Sequence, residues 1–435
     1  MKRKKITALL LATLFVLSVM TACGNTTPTT PAASGEPAAS SAAPAASSEA
    51  SAEATPEPEP AASKDPVTLK MWESDGPEKT FMEAAAAEYT AMNPHVTFEY
   101  EPVGHTDAAQ KLSLDGPAGV GADVFAAPHD KLGEMVSQGL ILEASNPDEI
   151  KANFVEPAIK GVSYDGKLYG YPTGVETYAL FYNKALIQTP PQTWDELVDF
   201  AKTFNNAADG KYALSWEVGN AYFSYIFLSS FGADLFGPDG TDKSQHMVNS
   251  DAAVQGMTYF QNLRKNILDV AQADLTGDFM NAGFQEGNIA MVITGPWSIS
   301  GYKEAGVDFG VAALPRFPGM DNPPASFSGI RGLYVSAFSE HPEEAQRFAE
   351  FCITKSMLEQ RYEITSQIPP RKDITITDEH NAGILAQAAF AKPMPSIPAM
   401  GQYWPAMGSA YANIWNGADV KTELDAAAAA IEAAN

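Results

Sequence analysis

Stretches of alternating apolar and polar residues recur along the chain, and each of the first ones is followed by a helical pattern. The alternation is typical of half-buried strands, and a short wholly apolar run is typical of a buried strand. The strand patterns lie at residues 67–72, 96–100 and 122–127, and the helical patterns at residues 78–92 and 130–138. Strands that alternate with helices predict an α/β fold with a parallel sheet covered on both faces.

Two further helices are predicted in the later part of the chain. Thr193 and Glu196 stand three residues apart and form a capping-box pattern for a helix over residues 194–203. Residues 343–358 also have a helical pattern, and Cys352 lies inside it. We expect Cys352 to be a buried, reduced thiol rather than a reactive site.

The N-terminus has the pattern of a secretion signal. Four basic residues at positions 2–5 precede an apolar run at 6–19 that is shorter than the roughly 20 residues needed to span a bilayer. The run ends in small residues before Cys23, which resembles a bacterial lipobox. The pattern predicts a signal peptide over residues 1–22 and a lipidated Cys23, carrying palmitate or a similar acyl chain. An ordinary cleaved signal and an uncleaved anchor are the alternatives.

Residues 23–64 form a low-complexity segment of mostly Thr, Pro, Ala, Ser and Glu. Such a composition cannot bury a core, and we expect a disordered tether. A flexible coil of this length has an end-to-end distance of about 35 Å. The folded body would therefore be held near the membrane at some distance from its lipid.

The length of the chain after residue 64 indicates the number of domains, and the net charge excludes some classes of partner. The chain has 435 residues, and the part after residue 64 is long enough for two domains. Its net charge is −25, and removal of the four basic residues near the start would leave 24 lysines and arginines against 53 acidic residues, a net charge of −29. A protein with this much negative charge repels nucleic acid and anionic lipid. Membrane attachment would therefore depend on the lipidated cysteine.

Several motifs recur through the body of the chain, at residues 166–172, 175–176, 181–184, 191–197, 284–287, 295–297, 394–398 and 403–404. They resemble the motifs of the extracellular solute-binding proteins of sugar ABC transporters. Within that superfamily the similarity is closest to the maltose and maltodextrin branch, in motif order and in approximate spacing.

This resemblance implies a two-lobed periplasmic-binding-protein-like fold of type II, with a ligand cleft between lobes joined by hinge crossings. The crossings would lie near Val175, Ile330 and Thr377. One lobe would comprise residues 65–175 plus 331–376, and the other residues 176–330 plus 377–435. It further implies a monomer at the outer face of the cell membrane that binds a maltodextrin-like oligosaccharide, closes by hinge motion and delivers it to an ABC permease.

The candidate ligand-binding residues are also suited to a sugar by their chemistry. Sugar C–H faces pack on aromatic rings, and hydroxyl pairs bind carboxylates and cations. Asp130 and Lys131 follow the third predicted strand, at the end where α/β folds collect ligands. Glu176 lies at the first crossing. The other candidates are Tyr222, Trp297, Trp404, Trp72, Asn220 and Tyr403.

Each candidate also has a structural interpretation. Asp130 and Lys131 could form a solvated first helical turn, and Glu176 could be an ordinary ion-pair partner. The tryptophans could belong to the core, and for Trp72 core packing is as good an explanation as a place in the cleft wall.

The chain departs from the best-known branch members at five positions. Lys131 replaces an arginine, so a planar two-pronged donor becomes a single ammonium group. The other departures are Ala127 for a tryptophan, Pro77 near a cleft lysine, Asn220 for an acidic residue and Gly408 for an arginine. These changes favour a longer glucan over maltose itself.

Two other functions compete with an importer receptor. A glycoside hydrolase would use two opposed carboxyl groups, such as Glu176 and Asp130, but no catalytic motif marks them. The histidines lack ligand spacing, so we expect no metal and no cofactor. A surface glycan-binding lipoprotein not coupled to transport would use the same fold, and so would a binding protein for another oligosaccharide.

Overall fold

A computed structural model of the protein describes residues 65–433. The predicted signal peptide, the lipidation at Cys23 and the tether up to residue 64 lie outside these residues and stay predictions. The described chain forms twelve strands: β1 (Val67–Glu73), β2 (Val96–Pro102), β3 (Val124–Pro128), β4 (Ser163–Tyr164), β5 (Lys167–Leu168), β6 (Gly170–Thr177), β7 (Ala179–Asn183), β8 (Tyr212–Ser215), β9 (Ile289–Thr294), β10 (Phe309–Ala312), β11 (Phe327–Val335) and β12 (Lys392–Pro393).

Sixteen α-helices and four short 3-10 helices accompany these strands within residues 65–433. The α-helices are α1 (Pro77–Met92), α2 (Ala108–Asp115), α3 (Leu132–Ser137), α4 (Pro147–Asn153), α5 (Glu156–Gly161), α6 (Trp194–Phe204), α7 (Ala221–Ser224), α8 (Ile226–Ser229), α9 (Asp251–Asn266), α10 (Gly277–Gln285), α11 (Ile299–Glu304), α12 (Pro342–Cys352), α13 (Lys355–Thr365), α14 (Glu379–Ala388), α15 (Met400–Trp415) and α16 (Val420–Ala433). The 3-10 helices are His129–Lys131, Ala207–Asp209, Gln272–Asp274 and Pro296–Ser298. Among the described helices, none is both long and apolar enough to cross a bilayer.

The larger sheet has the strand order β12-β11-β3-β1-β2, with β6 paired to β11. Strands β2 and β3 run parallel to β1, as the βαβ pattern predicts, whereas β11 runs antiparallel to both β3 and β6. The expectation of a wholly parallel sheet is therefore corrected to a mixed sheet. Alternation along β1 sends Leu69 and Met71 into one apolar cluster and Trp72 into another, so both faces of this sheet are covered.

The smaller sheet has the order β10-β7-β9-β8 and is also mixed. Its two faces bury separate clusters, because Leu180 joins one cluster and its neighbours Ala179 and Phe181 join the other. Each sheet thus has its own core and helical cover. We refer to the larger sheet with its helices as the N-terminal lobe and to the smaller sheet with its helices as the C-terminal lobe.

Strands β6 and β11 connect the two sheets. Only Tyr178 separates β6 in the larger sheet from β7 in the smaller one, and its side chain is fully buried. The predicted crossings near Val175 and Ile330 fall in these strands and lie directly opposite each other in the ladder. The third expected crossing, near Thr377, lies in the segment between α13 and α14. The lobe boundaries stay predictions at the level of single residues.

The structure corrects one predicted helix. The helical pattern over residues 343–358 is divided, since α12 ends at Cys352 and α13 begins at Lys355 after the extended residue Thr354. Cys352 itself is fully buried, and burial raises the pKa of its thiol, which fits the expectation of an unreactive side chain.

The capping box predicted for α6 is formed in the structure, and its contribution to stability can be tested by substitution. The Thr193 hydroxyl oxygen accepts a hydrogen bond from the Glu196 N–H at 3.2 Å, and the Glu196 carboxylate accepts one from the Gln192 N–H. We expect Thr193→Ala to lower the free energy of unfolding by about 1 kcal/mol, because the cap is lost. Urea unfolding followed by tryptophan fluorescence would measure it. Thr203→Ala, at an exposed position in the last turn of the same helix, is the matched control; equal effects of the two variants would contradict the capping role.

Candidate ligand-binding site

Five of the predicted residues come together where the two lobes meet. The indole N–H of Trp404, on α15 of the C-terminal lobe, donates to Oδ2 of Asp130, in the N-terminal lobe, at 2.9 Å. The ring of Tyr222 lies 6.4 Å from that of Trp297. The charges of Asp130 and Glu176 both act on the hydroxyl of Tyr222. The arrangement therefore places two carboxylates beside three aromatic side chains.

The turn that carries Asp130 is fixed by hydrogen bonds on both sides. Nδ1 of His129 accepts from the N–H of Ile330 at 3.0 Å, which leaves Nε2 as the donor to the carbonyl of Met394 at 2.9 Å. Burial lowers the pKa of His129, so the imidazole stays neutral and keeps this tautomer. Asp130 thus lies on a turn connected to β11 and to the segment before α15.

A close backbone approach explains one glycine at this junction. The N–H of Gly133 donates to the carbonyl of Ser396 at 3.0 Å. A Cβ atom at position 133 would lie 2.2 Å from that carbonyl oxygen, which is far closer than van der Waals contact allows. Only glycine lets the start of α3 meet the 394–398 segment at this distance.

The aromatic side of the site is built on the core of the C-terminal lobe. Phe327 stacks with Tyr222 at 6.2 Å between ring centroids and meets Trp404 edge to face at 5.8 Å. Trp297 follows the Gly295-Pro296 turn and lies 6.3 Å from Phe223. Tyr222, Trp297 and Trp404 are only partly buried and pack against this core, so each has one surface in the core and another outside it.

The hydroxyl of Tyr222 is a polar group of this site that the described part of the chain leaves without a hydrogen-bond partner. The oxygen is buried, and within residues 65–433 no protein group forms a hydrogen bond with it. Burial and the charges of Glu176 and Asp130 raise its pKa, so it remains a neutral O–H donor. A buried hydroxyl without a partner is costly, and a polar ligand or water would satisfy it.

Glu176 lies near the end of β6 and is bound on one side only. Its Oε1 accepts from Nη1 of Arg331 at 3.3 Å, whereas Oε2 accepts no hydrogen bond from the described chain. Burial raises the pKa of the carboxyl, and the nearby guanidinium opposes that rise. One oxygen of this carboxylate is therefore available to a ligand.

The other four predicted residues lie outside this group or at its margin. Trp72 is fully buried in the N-terminal lobe, where its indole donates to Oε2 of Glu101 at 2.8 Å; the core interpretation describes it. Tyr403 is also fully buried. Asn220 is exposed, and its side chain caps α7 by accepting from the N–H of Tyr222 at 3.0 Å. Lys131 is half-buried next to Asp130 and forms no ion pair with the described residues.

Sequence reasoning missed Phe327 and Arg331. Both belong to β11, which the sequence analysis did not assign as a strand. The signal that could have found Arg331 is its position as a single charged residue in the otherwise uncharged run 325–338.

At Ala127, where the branch members have a tryptophan, the side chain is fully buried and offers no stacking surface. The described part of the chain also brings no three His, Cys, Asp or Glu residues together as a metal site.

Comparison with known proteins identifies the family. The profile of the bacterial extracellular solute-binding proteins matches residues 84–388. The galactooligosaccharide-binding protein of Bacillus subtilis (strain 168) is 32% identical over 376 residues, which are 83% of this chain and 87% of that protein. The maltooligosaccharide ABC transporter solute-binding lipoprotein of Streptococcus pneumoniae (strain ATCC BAA-255 / R6) is 28% identical over 397 residues, 86% of this chain and 90% of that one.

A similar solved structure is that of a cyclo/maltodextrin-binding protein complexed with maltotetraose. It has a TM-score of 0.72 and 35% sequence identity, and the alignment covers 86% of this chain and 98% of that one. The predicted two-lobed α/β fold is thereby confirmed. The prediction that the chain is no enzyme is confirmed as well, since the matched family and its members are solute-binding proteins. The chain belongs to the bacterial extracellular solute-binding proteins.

Proposed function

We propose that this protein is the lipid-anchored receptor of an ABC importer, and that it captures an α-glucan oligosaccharide of the maltodextrin type. The ligand would lie between the lobes, where Asp130 and Glu176 bind its hydroxyls and Tyr222, Trp297 and Trp404 pack on its sugar rings. Lys131 would add one cationic donor at the margin. No bond is made or broken, and the released ligand passes to a membrane permease.

The observation that carries this proposal is the meeting of two carboxylates with three partly buried aromatic rings at the junction of the lobes. Vicinal hydroxyls of a sugar bind carboxylates through charge-assisted hydrogen bonds, and the C–H faces pack on aromatic rings. The partnerless hydroxyl of Tyr222, on which the charges of Asp130 and Glu176 both act, provides one more donor for a sugar oxygen. The ligands for which two similar proteins are named, maltooligosaccharide and maltotetraose, agree with this chemistry.

The site joins the lobes, which suits a receptor that closes on its ligand. Asp130 comes from the N-terminal lobe and Trp404 from the C-terminal lobe, and they are hydrogen-bonded to each other. A sugar hydroxyl that donates to Asp130 would take the place of the Trp404 indole, whose ring face would then pack on the sugar. A ligand held by both lobes favours the closed form because it binds that form better than the open one.

A second ligand class has a specific observation in its favour. The similar protein from Bacillus subtilis is named for galactooligosaccharides and covers 83% of this chain. The alternative to a maltodextrin receptor is therefore a receptor for a galactose-based oligosaccharide.

Isothermal titration would separate these ligand classes. The mature protein is titrated with maltose, maltotriose, maltotetraose and longer maltodextrins, with galacto-oligosaccharides and cello-oligosaccharides beside them. The detergent for the lipidated protein must have no sugar headgroup, since a maltoside would compete for the site. We expect saturable heat with the maltodextrin series. Binding heat with the galacto-oligosaccharides alone would change the assigned ligand but keep the receptor role. No binding heat with any of the saccharides would contradict the proposal.

Trp404→Ala tests the aromatic platform. We expect the variant to bind maltotetraose with about 1–3 kcal/mol less free energy, because one half-buried ring surface is lost. Trp404→Phe keeps a ring but lacks the N–H that Asp130 accepts, and its loss should be smaller. Phe338→Ala, which truncates an aromatic residue that is 40% exposed on the loop after β11, is the control. Unchanged affinity in Trp404→Ala would place this residue outside the site.

The anchor rests on the sequence and on a similar protein that is named a lipoprotein. We expect Cys23→Ser to release the protein from the membrane fraction into the medium or periplasm, because serine cannot carry the thioether-linked lipid. Fractionation and immunoblotting would measure this, with an unlipidated cytoplasmic protein as the marker for lysis. Retention of the variant in the membrane fraction would contradict lipidation at Cys23.

A further inference from the structure

Five charged side chains are buried together beside the candidate site. Arg331 is 3% exposed and Arg361 1%, and the three carboxylates with them are at most 8% exposed. They come from five different elements of the fold: Glu73 on β1, Glu78 on α1, Glu176 on β6, Arg331 on β11 and Arg361 on α13. Three carboxylates against two guanidinium groups leave one negative charge in excess, so the position of each arginine decides which carboxylate is neutralised.

Arg331 lies at the centre of this cluster. Its Nε donates to Oε2 of Glu73 at 3.2 Å, and its Nη2 donates to Oε1 of Glu73 and, at 3.0 Å, to the hydroxyl of Ser74. Its Nη1 donates to Oε1 of Glu176 at 3.3 Å and lies 4.0 Å from Oε1 of Glu78. One guanidinium thus connects a carboxylate of the N-terminal lobe to the carboxylate of the candidate site.

The register of the crossing strands explains this geometry. Arg331 lies opposite Gly174 in the β6–β11 ladder, and Glu176 lies two residues further along the same strand. Residues two apart share a face of the sheet, so Arg331 and Glu176 form a diagonal cross-strand pair. Gly174 has no side chain, which leaves the space beside it to the side chains of Gln367 and Arg331.

Arg361 interacts with Glu176 less closely than Arg331 does. Its Nη2 donates to the amide oxygen of Gln367 at 2.8 Å and lies 3.8 Å from Oε2 of Glu73. Its Nε and Nη1 are buried without a hydrogen-bond partner in the described chain. The cation in contact with Glu176 is therefore Arg331.

We propose that Arg331 is a positioning residue for ligand binding: its guanidinium binds Oε1 of Glu176 and keeps that carboxylate ionised and oriented, so that Oε2 accepts a hydroxyl of the bound saccharide. The inference rests on the proposed function and goes beyond it, because it assigns part of the affinity to a residue that itself does not touch the ligand. Glu73 fixes the guanidinium from the opposite side.

The charges around Glu176 determine how its ionisation responds to substitution. Burial raises its pKa, Arg331 and the more distant Arg361 lower it, and the carboxylate of Glu78 raises it. The charges of Glu176 and Asp130 both act on the neutral hydroxyl of Tyr222 on α7, and Glu73 on β1 binds the same guanidinium that contacts Glu176. A carboxylate that binds only when ionised gives full affinity above its pKa, and affinity is lost as pH falls through that pKa. Raising the pKa therefore moves the loss to higher pH.

The test is the pH dependence of the dissociation constant for maltotetraose, measured by titration calorimetry on the mature protein between about pH 5 and 8. In Arg331→Met, the fall in affinity should begin at a higher pH than in the wild type, with about a tenfold loss per pH unit below the new pKa. Arg347→Met removes one positive charge from an exposed position of the same lobe and should keep the wild-type profile. Glu176→Gln should bind more weakly than the wild type above the pKa of Glu176, with a flat profile where Glu176 titrates.

Glu78→Gln keeps the test decisive if Arg331→Met does not fold. The substitution is isosteric, and the amide oxygen can still accept from Nε2 of Gln367, which donates to Glu78 at 2.7 Å in the wild type. Because a negative charge near Glu176 is removed, the fall in affinity should move to lower pH, opposite to the shift in Arg331→Met. Circular dichroism at each pH would verify that the folded fraction is the same.

The outcomes separate the inference from the proposed function. If the wild type binds maltotetraose and either folded variant, Arg331→Met or Glu78→Gln, has a pH profile parallel to the wild type, Arg331 has only a structural role and the inference is overturned. If the wild type binds no saccharide of the panel at any pH, the proposed function fails instead. Opposite shifts in the two variants would support the inference.

Discussion

The pairing of β6 with β11 is the constraint on which the rest of the molecule depends. These strands complete the larger sheet, lead into the smaller one and bring Ile330 opposite Val175 where the chain passes between the lobes. The same ladder places Arg331 diagonally across from Glu176, and Phe327 at its start supports the aromatic side of the site. A change of register by one residue would turn Arg331 to the other face of the sheet and separate it from both carboxylates.

A buried ionic cluster at this place is not an obvious way to stabilise a protein. Removing charged groups from water costs several kcal/mol for each ion, and ion pairs regain this only when their geometry is good. Arg331 meets that condition through its two-pronged contact with Glu73, whose pKa falls to about 2 even though burial opposes ionisation. Arg361 meets it less well, since two of its nitrogens have no partner among the described residues. The cluster is therefore easier to understand as a device that orients Glu176 than as a source of stability.

Local patterns in the sequence predict the early elements and much of the site, but pairings between distant segments lie beyond them. Strand β1, helix α1 and the cap of α6 follow from alternation, helix formers and the spacing of Thr193 and Glu196. The antiparallel course of β11 depends on β3 and β6, which are far away in sequence. Arg331 was missed for the same reason, because its partners are close only after folding. Motif similarity gave Asp130, Glu176 and Trp404, yet it could not tell that Trp72 and Tyr403 are wholly buried.

The division of chemistry between the lobes suggests how a ligand is recognised. The carboxylates come from strand ends of the larger sheet, whereas the aromatic rings come from the core of the C-terminal lobe. A saccharide bound to one lobe alone would satisfy either its hydroxyls or its ring faces, but not both. The Trp404–Asp130 hydrogen bond joins the lobes, so a saccharide that binds Asp130 must offer it a better donor than an indole N–H. Because this exchange leaves an aromatic face for the sugar ring, a ligand gains from closure only when it presents hydroxyls on one side and a C–H face on the other.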